Sequence, residues 1–138
     1  MANVVYNNFK EEVKEGVFDL VNDTVKIALL DNTYTPNVDT HTAWADVSAN
    51  EVSGTGYTTG GATLANKTVT QDNTDDEGVF DADDVTWSSA TITARYAVIY
   101  DTTATNKLIC LIDFASDQTS TNGDFTITFD AEGILNLG

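Results

Sequence analysis

The chemistry-bearing residues of this chain are mostly carboxylates. Asp72, Asp75, Asp76 and Glu77 fall in one short segment, and Asp81, Asp83 and Asp84 in the next. Hard oxygen ligands at this density could hold Ca²⁺, with Asp81, Asp83 and Asp84 as the candidates. The spacing does not match a helix-loop-helix calcium loop, because the glycine at its sixth position and the closing glutamate are missing. The alternative is a solvated acidic turn. A single cysteine, Cys110, and a single histidine, His41, cannot assemble a usual zinc site.

Nucleophilic catalysis fares no better. Serines and aspartates are abundant around His41, but no Gly-x-Ser-x-Gly elbow fixes a nucleophile. Gly54-Thr55-Gly56 lacks both the dinucleotide pattern and a following Gly-Lys-Ser/Thr, so a phosphate cradle is not expected. Glycoside hydrolysis would need paired carboxylates with Trp44 or Trp87 as sugar platforms, and both fit better as core anchors. Cys110 lies within Leu108-Ile109-Cys110-Leu111-Ile112, which predicts a buried thiol with little nucleophilic character. The residues therefore predict a non-enzymatic protein with no cofactor. Arg95, the only arginine, stands mid-strand and should pair with a carboxylate, in this chain or across a subunit boundary.

The elements that carry these residues are mainly strands. Residues 90–100, 107–114 and 124–130 combine β-branched, aromatic and aliphatic side chains between polar turns. In the last run Phe125, Ile127 and Phe129 alternate with Thr126 and Thr128, one dry face and one wet one. Residues 24–30 form another strand, with Val25, Ile27 and Leu29 on one face. A weaker strand falls at 62–70, short β pieces at 79–88, and a closing apolar segment at 132–138.

Near the N-terminus Phe9, Val13, Val17 and Leu20 recur at helical spacing, predicting an amphipathic helix over 8–21 with Asn8 and Glu11 as a capping box. Gly16 weakens it unless it permits a close approach. Residues 31–61 form a long irregular loop or arm, with Pro36 in a turn and Asp39 or Thr40 capping a short helix that carries Trp44 and Val47 inward. Loops of this length in a compact domain usually have a function or fold back on it.

Length and composition are those of one domain spanning 1–138. The fold class expected is mainly β (α+β): an antiparallel β-sandwich or jelly-roll-like domain with an N-terminal helix. With 22 Asp and Glu against 6 Lys and Arg, the net charge of -16 disfavours nucleic acid and anionic membranes. No apolar run is long enough to span a bilayer and no leader segment is evident, so synthesis in the cytoplasm is expected.

Several stretches resemble small virion structural proteins of tailed bacteriophages. They are Gly54-Thr55-Gly56-Tyr57-Thr58-Thr59-Gly60-Gly61-Ala62-Thr63-Leu64, the segment from Phe80 to Ser88 followed by Ile92-Thr93-Ala94-Arg95, and Phe125 to Ile134. Tyr6-Asn7-Asn8-Phe9-Lys10 and the segment from Tyr34 to His41 extend the likeness over most of the chain. The resemblance implies a particle component without catalysis, most like a capsid decoration (cement) protein on the outer head. Tail, neck or connector placement is the alternative, and a host-glycan adhesion module is a third reading. It implies the major capsid protein as partner and a homo-oligomer, a trimer by symmetry. Tyr34, Tyr57 and Arg95 are the interface candidates, with Trp44 a further aromatic anchor.

Overall fold

The computed structural model describes residues 2–138. Eight strands and one short helix follow in the order β1 (Ala2–Val5), α1 (Asn7–Glu12), β2 (Val25–Leu30), β3 (Ala62–Thr63), β4 (Thr68–Asp72), β5 (Glu77–Asp81), β6 (Val85–Asp101), β7 (Lys107–Ile127) and β8 (Leu135–Leu137). Two 3-10 turns, Trp44–Asp46 and Ser48–Asn50, lie between β2 and β3. Every strand pairing is antiparallel. One sheet is open, in the order β1-β7-β6-β2-β3, and a smaller one has the order β4-β5-β8. The architecture is thus mainly β with a short N-terminal helix, as composition and alternation predict.

The β6–β7 hairpin is the spine. Around its turn, residues 96–101 pair with β2 and residues 110–113 with β1, completing the five-stranded sheet. Further from the turn, Val85–Ala94 continue against Gln118–Ile127 as a two-stranded ribbon, with bulges near Ala90 and Ala94. The sequence places two strands at 107–114 and 124–130 with a polar turn between them, whereas β7 runs unbroken over Lys107–Ile127. The intervening residues 115–123 are polar because most of their side chains face solvent. Thr93 and Thr119 hydroxyls meet across the ribbon at 2.9 Å, as do those of Thr86 and Thr126 at 3.0 Å. The strand ends at Ile127 instead of Asp130, yet Phe129 remains buried and its N–H donates to Asp84 Oδ1.

The helix is shorter than the periodicity predicts. It stops at Glu12 rather than near residue 21, and the chain leaves it through a Schellman-type closure. Val17 N–H donates to Glu12 O at 3.1 Å and Gly16 N–H to Val13 O at 3.3 Å, with Gly16 at φ +76°. No side chain caps its start: Tyr6 is the N-cap residue. Asn8 instead points inward, its Nδ2 donating to Leu108 O at 3.0 Å. Phe9 is buried against Phe18, ring centroids 4.8 Å apart, while Val17 is exposed. Burial of two phenylalanines against the sheet decides this segment more than its helical stripe does.

Residues 34–47 of the long segment 31–61 cover one face of the large sheet, while Val52 and Tyr57 pack into the core on the other. Tyr34, Val38, Trp44 and Val47 pack on Ala28, Leu30, Val98, Tyr100, Leu108 and Leu111. Val47 is fully buried, and Trp44 stacks on Tyr100 with centroids 4.8 Å apart and planes 8° from parallel. Neither Asp39 nor Thr40 caps the turn. The Asp46 carboxylate does, accepting the N–H groups of Thr42 (2.9 Å) and Ala43 (3.0 Å), and these bonds hold its carboxyl below the usual carboxylate range. The other face holds the main core: Val25, Ile27, Leu29, Ile99, Ile109 and Ile112, continued along the ribbon by Trp87, Ile92, Phe125 and Ile127. Phe80 and Leu135 join it from the small sheet. Because β2 is covered on both sides, Ala28 and Leu30 are as buried as the predicted face of Val25, Ile27 and Leu29. The weak strand expected at 62–70 is two strands in different sheets, β3 and β4.

Candidate functional site

The three carboxylates singled out for Ca²⁺ are dispersed by the corner between β5 and β6. Asp83 accepts a hydrogen bond from Asn66 Nδ2, Asp84 holds the Phe129 N–H, and Asp81 Oδ1 is buried without a partner. Two of the three thus serve as local ties. The carboxylates that do gather come from Asp72, Asp75, Glu77 and Glu132, each offering an oxygen within 4.8 Å of the others. Asp72, Asp75 and Glu77 belong to the acidic β4–β5 turn visible in the sequence. Glu132 arrives from the β7–β8 connection, 55 or more positions along the chain, which no local spacing can show. Asp72 Oδ1 accepts the N–H of Thr74 at 2.8 Å, and Glu77 Oε1 that of Asn136 Nδ2 at 2.7 Å.

Of the interface candidates, Tyr34 is 3% exposed. Its hydroxyl lies 2.9 Å from Tyr6 Oη and 2.9 Å from His41 Nδ1, joining the covering segment to the end of β1. Burial first, and the Tyr34 hydroxyl second, push the Tyr6 hydroxyl far above its ordinary range, so it is a permanent neutral partner. Tyr57 is half-buried. It accepts the Leu29 N–H at 3.0 Å and donates to Glu51 Oε2 at 2.7 Å, and Glu51 also takes the Gly60 N–H at 2.8 Å. Both rings are internal fasteners in this conformation, and a partner would meet little of either. His41 is accordingly part of a hydroxyl chain that runs through Tyr34 to Tyr6.

Arg95 pairs with Asp113 across the hairpin and lies over the Tyr96 ring, 4.8 Å from its centroid. The Ala115 N–H, 2.7 Å away, and then Arg95 hold the Asp113 carboxyl below the usual carboxylate range. The pair is half-exposed and within one chain. Arg95→Ala should therefore cost about 0.2–1 kcal/mol in urea unfolding. It should also leave the oligomeric state unchanged in analytical ultracentrifugation; dissociation of an oligomer would instead place the guanidinium across a subunit boundary.

Cys110 is fully buried, and burial pushes its thiol up to about 12, so the thiolate needed for attack is absent near neutral pH. The outer edge of β7 beyond Asp113, where β1 ends, has no strand neighbour among the described residues. A groove of about 480 Å³ runs there, lined by Phe114, Gln118, Thr119 and residues 124–128. No lysine or arginine lies on β7 after Lys107. Sequence reasoning missed this surface, because the strand that forms it reads as a turn. No family model, curated protein or solved structure matches the chain.

Proposed function

We propose that this chain is a non-enzymatic structural component of a tailed-phage particle, bound to the outside of the head as a decoration protein. The sequence resemblance carries the reading, and the positions of the resembling stretches support it. Residues 54–64 fasten the covering segment to β2 and the ribbon: Thr91 N–H donates to Thr55 O at 2.9 Å and Leu64 N–H to Val25 O at 2.9 Å. Residues 85–88 and 125–127 build the ribbon core. These stretches are architecture, the expected pattern where the shape of a surface is the function. The finer fold we propose is sandwich-like, with the small sheet packed on the large one through Phe80 and Leu135. The partner is the major capsid protein. A trimer at local threefold positions supplies several weak contacts at once, so occupancy rises by avidity.

A tail or neck position is the second reading, and the uncovered β7 edge favours it. An open edge can accept a strand from a neighbouring copy and build a ring by repetition. Immunogold electron microscopy of particles with an antibody to this chain separates the two. Dense labelling over heads is the expected result, together with earlier heat-induced DNA release from particles lacking the protein. Label confined to the tail or neck would replace the decoration reading with the second one.

A further inference from the structure

Asp101 is the last residue of β6 and the one carboxylic acid among the described residues with 0% exposure. One of its oxygens is accounted for: Oδ1 accepts the Ala104 N–H at 2.9 Å, closing the turn between β6 and β7. The other, Oδ2, is buried without a donor. Val25 stands opposite Asp101 in the β2–β6 register, which brings Asp23, two residues earlier, to the same end of the strand pair, and the Asp23 carboxyl is near enough to raise that of Asp101. Asp23 is fixed in turn, its Oδ2 accepting the Asp19 N–H at 2.9 Å and its carbonyl accepting Lys67 Nζ. Around the pair, Thr24 N–H donates to Thr103 Oγ1 (3.0 Å), and Thr102 donates to Thr24 O through both N–H (2.9 Å) and Oγ1 (3.0 Å).

The surrounding charges do not neutralise the pair. Lys107 stands opposite Asp101 in the hairpin register, but its Nζ is 2.8 Å from Glu12. Lys67 is held on the Asp23 carbonyl, and Asp19 adds a further negative charge beside Asp23. A buried carboxylate oxygen that has no donor and stands beside a second, partly exposed carboxylate is repelled unless something positive sits between them.

We propose that Asp23 and Asp101 share one proton, and that this acid pair latches the β6–β7 turn to the entry of β2 in a pH-dependent way. A single proton on Asp101 Oδ2, donated to the Asp23 carboxylate, satisfies the orphaned oxygen and removes one buried charge. Burial first, with the facing Asp23 carboxyl adding to it, pushes the Asp101 carboxyl up to about 6. Because the folded value is raised, the stabilisation is complete below the unfolded value of 3.8 and is lost as pH rises through about 6. Across that window the folded-to-unfolded ratio from this pair falls by up to about tenfold per pH unit. Near neutrality the Asp101 carboxyl has lost its proton and the turn at residues 102–106 loosens.

The test is a ¹³C carboxyl titration by NMR, paired with urea unfolding from pH 4 to 8. In the parent protein the Asp101 carboxyl should titrate with a midpoint above about 5. Asp23→Asn puts an amide donor against Asp101 Oδ2. It should lower that midpoint by about one unit or more and flatten the loss of stability between pH 4 and 7. Asp101→Asn keeps an oxygen for Ala104 N–H and should give the same flattening, so the two variants guard against one failing to fold. The background repulsion of the other carboxylates is common to all three proteins. A midpoint below about 4.5, or equal pH slopes in all three, overturns the proposal. So does a shift of the Asp101 signal and regained stability on adding Ca²⁺ at pH 7, which would place a metal ion where the proton is proposed.

Discussion

Replacing Gly61 with alanine should destabilise the protein by about 2–5 kcal/mol, a large share of the roughly 5–15 kcal/mol that holds a domain of this size together. Two effects add. Gly61 sits at φ +85°, where an L side chain costs about 1–2 kcal/mol. Its added Cβ would also meet Ile27 O at 1.9 Å and the Ala28 Cα at 2.7 Å. Both neighbours are backbone of β2, an inner strand paired on both sides, so neither can move without breaking pairing, and overpacking of this kind costs about 1–3 kcal/mol. Gly16→Ala is the internal control. Gly16 also has positive φ, +76°, but nothing lies within 4 Å of a Cβ there. It should lose only the backbone part, about 1–2 kcal/mol. Equal midpoints for the two variants in urea would show that the close approach to β2 contributes nothing.

Trp87→Ala should cost about 3–5 kcal/mol, the range for emptying a large aromatic from a core. Trp87 is 6% exposed on the inner face of the ribbon, with Tyr57 at 5.7 Å and Phe125 at 6.2 Å between ring centroids. It is the point at which the ribbon, the covering segment and β7 meet. Trp44, stacked on Tyr100 but half-exposed, should cost less when truncated. The chain has two tryptophans, so each variant leaves one fluorophore. The protein with Trp44 replaced should keep the blue-shifted emission of a buried indole, and the protein with Trp87 replaced should emit further to the red. A loss below about 1 kcal/mol for Trp87→Ala would mean that the ribbon is not packed as described.

How far the sequence discloses this fold depends on whether burial was decided locally. Strand β2 and the apolar halves of β6 and β7 are legible, because aliphatic and β-branched runs have few other solutions. The buried thiol at Cys110 follows from its apolar pentad in the same way. The helix was overextended because Val17 and Leu20 continue a helical stripe, while Gly16 and the Phe9–Phe18 contact turn the chain away from it. Residues 115–123 read as a turn because both local composition and solvent exposure are polar. Only their cross-strand partners make them a strand, and those lie 24 to 33 positions earlier, from Ala94 opposite Gln118 to Ala90 opposite Gly123. The same holds for the acidic side chains. Asp81, Asp83 and Asp84 are neighbours in sequence and separate in space, whereas Glu132 joins Asp72, Asp75 and Glu77 only through the β5–β8 pairing. Tyr34 and Tyr57 look like surface aromatics in polar loops, but those loops lie on the sheet.

Strand β1 pairs with β7 from Ala2 opposite Asp113 to Val5 opposite Cys110. Strand β1 therefore leaves a ribosome well before the strand it pairs with. At ~5–20 residues per second, roughly 110 residues of synthesis keep it without its partner for ~5–20 s. During that time β2 also lacks its neighbour β6. Apart from the two-residue pairing of β2 with β3, the large sheet assembles only once the β6–β7 hairpin has emerged. Until then the nascent chain carries Val4, Val5, Ile27 and Leu29 without their sheet, a period in which its strong negative charge keeps copies on neighbouring ribosomes apart.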